Sequence, residues 1–187
     1  MSFKTKALGL LAGSALMLSV ASGATADDAT GTASVTLSEN PSAVGCTGTI
    51  SIDSFNNATW NPTEERYEFD QSLQGEPTRA QAALYVIPEY KEKFPGDTSN
   101  CDAQIRRSDF KDDSTGATIP SNAIELRVTV GTSGSVGINV GTDTPLFSDR
   151  EPSISSLHYL LVNVSGVTAA PGSYSSTLTV TITEHEE

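Results

Sequence analysis

Apolar residues recur at every second position along much of the chain, separated by Thr, Ser or charged residues. That is the period of a strand with one buried face. The last segment is the clearest: Leu178, Val180 and Ile182 alternate with Thr177, Thr179, Thr181 and Thr183, behind a Pro171-Gly172 turn and Tyr174. Ile124, Leu126, Val128 and Val130 alternate with Glu125, Arg127 and Thr129; Gly131 to Gly134 then lead into Val136, Ile138 and Val140, which predicts a hairpin. Ala33, Val35 and Leu37 predict an early strand, and Ile50 and Ile52 another. Leu157–Val164 is apolar nearly throughout, with Leu160, Val162 and Val164 on one face, and reads as a more fully buried strand.

The middle of the chain is less regular. Thr78–Tyr85 carries Ala80, Ala82, Ala83 and Leu84, compatible with a short helix, but Leu84-Tyr85-Val86-Ile87 equally fits a strand. Glu89–Asn100 is charged and contains Pro95-Gly96-Asp97, which predicts an exposed loop; Asn56–Arg66, with Trp60 and Pro62, predicts irregular structure. Short strands with turn signals between them predict an all-β fold, a single antiparallel Ig-like β-sandwich over residues 27–187.

Residues 1–26 change the compartment. Lys4 and Lys6 precede an apolar run from Ala7 to Ala21, and Ala24-Thr25-Ala26 offers the small residues of a cleavage site. This is the pattern of a secretory signal peptide and predicts an exported, extracellular or cell-surface product. Export makes the cysteine count informative. Cys46 and Cys101 are the only two, an even pair for which one disulfide is the expectation.

Charge narrows the partners. The chain has 11 basic and 23 acidic residues, a net charge of −12; loss of Lys4 and Lys6 with the leader would leave 9 against 23, or −14. No basic stripe exists to displace the counterions of a nucleic acid, and no apolar stretch of the body is long enough to insert in a membrane. The expected partners are other copies of the chain or other cell-surface components.

The stretch Pro171-Gly172-Ser173-Tyr174 through Ile182 resembles the closing strand of bacterial extracellular β-sandwich proteins, in particular WxL-domain surface proteins. Ser108-Asp109-Phe110, Thr118-Ile119-Pro120 and Ile124-Glu125-Leu126 also resemble the central region of such domains. The resemblance implies a β-sandwich and a surface location. It does not imply wall attachment, because both Trp-x-Leu motifs are absent: Val180-Thr181-Ile182 stands at the second, and the sole Trp60 is followed by Asn61-Pro62.

Candidate chemistry is sparse. Nucleophilic catalysis needs a His positioned by a carboxylate, and only His158, within a strand, and His185, among terminal acids, exist. No Gly-x-Ser-x-Gly elbow or phosphate loop accompanies them, so an enzyme is not expected. Asp109, Asp112 and Asp113, before Ser114-Thr115-Gly116, are the candidate metal ligands, with oxygen donors suited to Ca2+. A polar hairpin turn accounts for the same residues. Trp60, Tyr67 and Phe69 form the aromatic cluster able to stack on a sugar face, with packing as its other reading. Asn57 and Asn163 begin Asn-x-Ser/Thr triplets. Together these features predict a secreted structural protein, a filament or matrix subunit, with a carbohydrate- or protein-binding module as the alternative.

Overall fold

The computed structural model describes residues 32–41, 45–53, 57–90, 100–120, 122–131, 134–165 and 171–185, the first of these ranges in its backbone alone. The leader, Pro95-Gly96-Asp97 and the Gly131–Gly134 turn tip lie wholly or partly outside these residues. The chain forms β1 (Thr32–Pro41), β2 (Cys46–Ile52), β3 (Ala58–Asn61), β4 (Arg66–Phe69), β5 (Arg79–Tyr90), β6 (Cys101–Arg107) and β7 (Phe110–Asp112). It continues with β8 (Thr118–Ile119), β9 (Ile124–Thr129), β10 (Ser135–Gly137), β11 (Thr144–Arg150), β12 (Ser156–Val164) and β13 (Ser173–Glu184).

These strands build two sheets. The first runs β11-β6-β13-β1-β3-β4, with β7 pairing β13 and β8 pairing β7; the second runs β10-β9-β12-β5-β2. The fold is an all-β sandwich. The alternating pattern explains the layering, since inward residues of both sheets meet in one core. Ile105, Leu178 and Val180 come from the first sheet, and Leu84, Val86, Leu126, Val128 and Leu160 from the second, all buried. Cys46 on β2 and Cys101 on β6 are disulfide-bonded, so a covalent link joins the two sheets.

Two ambiguous segments resolve as strands. Residues 79–90 form β5, whose Ala80, Ala82, Leu84 and Val86 face the core while Gln81, Ala83 and Tyr85 face outward. Pairing with β2 on one side and β12 on the other overrides the helical propensity of its alanines. Within the segment expected to be irregular, β3 pairs antiparallel with β4, Trp60 opposite Tyr67, around the Pro62–Glu65 turn. The hairpin after β9 is shorter than its apolar pattern suggested. β10 ends at Gly137; Ile138 returns its amide to Leu126, and Val140 bridges in parallel to Arg107.

One ladder departs from the antiparallel rule. Among the described strands, β1 alone pairs in parallel, alongside β13 from Thr32↔Ser173 to Pro41↔Ile182. On its other side it meets β3 at two positions only, Thr32↔Thr59 and Ala33↔Ala58.

Candidate functional site

The aromatic cluster turns inward. Tyr67 is 2% exposed and Phe69 5%, so these rings offer no stacking platform in this fold. The short β3–β4 hairpin sets Trp60 and Tyr67 edge to face at 5.2 Å, and Tyr67 meets Tyr174 at 6.2 Å and 90°. The Tyr67 hydroxyl donates to the Gly172 carbonyl at 3.0 Å and accepts the Gly172 amide at 3.1 Å. Burial pushes its pKa up to about 12, against the lowering effect of the Gly172 bond. The cluster therefore anchors the turn that starts β13.

The acidic run separates in the same way. Asp112 is buried at the end of β7, while Asp109 and Asp113 are exposed. Oδ1 of Asp112 accepts the Ser114 hydroxyl at 2.6 Å, the Ser114 amide at 2.8 Å and the Thr115 amide at 3.1 Å. Those bonds, the Ser114 hydroxyl first, hold its pKa below the usual carboxylate range. One carboxylate closes a turn, leaving it poorly placed to share a cation with its neighbours. Among the described residues no group of three or more His, Cys, Asp or Glu is arranged to hold a metal ion.

Both histidines are engaged by the fold. His158 is 2% exposed; its Nδ1 lies 2.8 Å from the Thr129 carbonyl and its Nε2 2.7 Å from the Ser156 hydroxyl. The carbonyl can only accept, so Nδ1 carries the proton and Nε2 accepts from Ser156. Burial lowers the pKa of His158; the Thr129 bond opposes this and the charge of Arg150 adds to it. His185 Nδ1 lies 2.9 Å from Asp102 Oδ1, with Ser148 Oγ 3.4 Å from the same nitrogen. A Ser–His–Asp relay uses opposite ring nitrogens for the carboxylate and the hydroxyl. Here both meet at one nitrogen, and Ser148 donates to Asp102 directly at 2.8 Å. Burial would raise the pKa of Asp102, but the Asp149 amide, Ser148 and His185 outweigh it and hold the carboxyl low. The cluster ties the end of β13 to β6 and β11.

Two grooves flank β9. One, of about 580 Å³, is lined by Arg107, Asn122, Glu125, Asn139 and Val140. Arg107 is buried at the inner end of β6 and donates from Nη1 to the Ile124 carbonyl at 2.9 Å. The other, of about 440 Å³, includes Glu76, Arg79, Glu125 and Arg127. Its charges pair locally: Arg79 with Glu76 at 3.2 Å and Arg127 with Glu125 at 2.8 Å.

The outer faces of the two sheets differ sharply. On the first, the outward positions of β13 are Thr177, Thr179, Thr181 and Thr183. On the second, the central strands β5 and β12 present Ala83, Tyr85, Ile87, Leu157, Tyr159 and Leu161 outward, with Leu157 opposite Tyr85 and Tyr159 opposite Ala83. Leu157 is 46% exposed and Tyr159 41%. Thr49 and Ser51 on β2, Thr129 and Arg127 on β9 and Gln81 on β5 border this stripe. The strand read as more fully buried thus buries Leu160, Val162 and Val164 and, among the described residues, leaves its other face open. Its run of apolar residues was the available signal for this surface, and burial inside the domain was the simpler reading of it.

No protein-family model matches the chain, and no curated protein matches it.

Proposed function

We propose that this chain is an exported structural protein of the cell surface or extracellular matrix, a subunit that packs against copies of itself or other surface components. The observation that carries the reading is the uncovered stripe on the second sheet. A contiguous apolar patch with a polar rim marks a surface made to be covered. Its centre, Ala83, Tyr85, Leu157 and Tyr159, carries no charge on a chain of net charge −12, so two acidic copies repel least when they approach there. The covalent link between the sheets fits an oxidising, extracellular setting. The buried polar groups of Tyr67, Asp112 and His158 are bonded to the fold itself, which favours a structural over a catalytic role.

Electron microscopy of the native cell surface, with the purified mature protein run on a sizing column, tests this reading. Filaments or concentration-dependent oligomers are expected, and Tyr159→Asp should weaken them. A strict monomer at high concentration overturns the reading. A second reading, a carbohydrate-binding module, is favoured by Tyr85 and Tyr159 on that same face. Glycan-array binding that disappears in Tyr159→Ala would establish it instead.

A further inference from the structure

The β1–β13 ladder carries a more specific inference, which rests on the structural-subunit reading. Ten consecutive register pairs join the two strands in parallel, from Thr32↔Ser173 to Pro41↔Ile182. Ala33, Val35 and Leu37 are registered with Tyr174, Ser176 and Leu178, whose side chains are buried; Thr36 and Ser38 are registered with the outward Thr177 and Thr179. The match between the two patterns is a property of the strands and is indifferent to which copy supplies β1.

Three features set β1 apart from the rest of the sandwich. The disulfide begins at Cys46, the first residue of β2, so the covalent loop from Cys46 to Cys101 leaves β1 outside it. Residues 42–45 alone connect β1, in the first sheet, to β2, in the second. Gly45, immediately before β2, has a φ of +71°, one that residues with a side chain rarely adopt. A connection this short between two layers is a setting in which an element is exchanged between copies. Finally, β1 divides the sheet, standing between β13 and the β3–β4 hairpin. Any chain supplying β1 would complete the sheet with the same main-chain bonds.

We propose that when the protein assembles, the slot beside β13 is filled by β1 of a second copy of this chain. The main-chain bonds are the same in either arrangement, so local concentration and the four-residue length of the connection select between them.

The test uses the full mature chain in two differently tagged versions, Thr36→Cys and Thr177→Cys, co-produced and exported by one cell. Each copy carries one added cysteine, so a bond between positions 36 and 177 forms only across copies. We expect most of the mixed population to run as a covalent dimer or larger species on a non-reducing gel. It should return to monomer on reduction, with a linked peptide pair containing residues 36 and 177. Ser38→Cys with Thr179→Cys repeats the measurement one outward pair along, in case the first pair perturbs folding. Oligomers on the sizing column without any 36–177 or 38–179 bond overturn strand exchange and leave the structural reading standing. A monomer with no cross-copy bond overturns both.

Discussion

The hydroxyl of Tyr67 holds both main-chain groups of Gly172, 105 residues away, donating to its carbonyl and accepting from its amide. The pairing fixes the β3–β4 hairpin to the point where the closing strand begins. It also explains why a tyrosine stands at a position only 2% exposed: the ring packs against Trp60 and Tyr174 while the oxygen satisfies a turn.

Tyr67→Phe keeps the ring and removes only the oxygen, leaving two half-buried backbone groups of Gly172 without their partner. The variant should lose about 1–3 kcal/mol of stability in urea unfolding, with the denaturant slope unchanged. Stability equal to the parent's would show that Gly172 is satisfied without the hydroxyl.

The Cys46–Cys101 bond closes a loop of sequence separation 55 between the two sheets. The loop-entropy account assigns such a closure about 4 kcal/mol, through restriction of the unfolded chain. Replacing both cysteines with serine should lower the unfolding free energy by about that amount, and digestion of non-reduced native protein should yield the linked peptides. Two free thiols in protein purified without reductant would contradict the assignment.

Much of the sandwich was legible because strand periodicity repeats wherever one face is buried. Ile124–Thr129 and the closing strand follow it residue by residue. The alanine-rich stretch around Ala80–Leu84 kept helix and strand both open, because only pairing with β2 and β12 decides between them. Trp60 and Tyr67 could not be sorted into platform or packing from sequence, since the four-residue strands carrying them show too few alternations to define an inner face. Leu157 and Tyr159 misled for the opposite reason. Apolar residues on both faces of a strand signal burial on both, yet among the described residues Leu157 and Tyr159 stay exposed on the outer one. The parallel partner of β1 was invisible, because periodicity identifies a strand and says nothing of its neighbour.

His158 gives the fold a dependence on mild acid. Its folded pKa is lowered by burial, whereas in the unfolded chain it titrates near the ordinary value of about 6.5. Below that value the unfolded chain binds a proton that the folded protein resists, so stability falls as pH drops through and below about 6.5. The slope for one proton is at most about 1.4 kcal/mol per pH unit. Unfolding measured between pH 7.5 and pH 5 on the order of half-unit steps should show this loss, and His158→Gln should flatten it, since glutamine does not titrate. A parent profile as flat as the variant's would mean that the ring accepts its proton in place.

The closing strand should be indispensable, because it is shared by so many neighbours. β13 pairs with β1 on one side, with β6 and β7 on the other, and turns Leu178, Val180 and Ile182 into the core at 3% exposure or less. Leu178→Ala leaves the ladders intact and opens a cavity at a fully buried site, a change that costs about 2–5 kcal/mol in well-packed cores. A chain ending after Gly172 loses far more: three apolar side chains worth roughly 1.5–3 kcal/mol each, and the partner strand of β1, β6 and β7 at once. Set against a total stability of about 5–15 kcal/mol, the truncation should abolish the cooperative thermal transition, while Leu178→Ala should keep it at a lower temperature. The pair of variants separates the packing contribution of one side chain from that of the strand. A truncated chain that still melts cooperatively near the parent's temperature would show that the sandwich closes without β13.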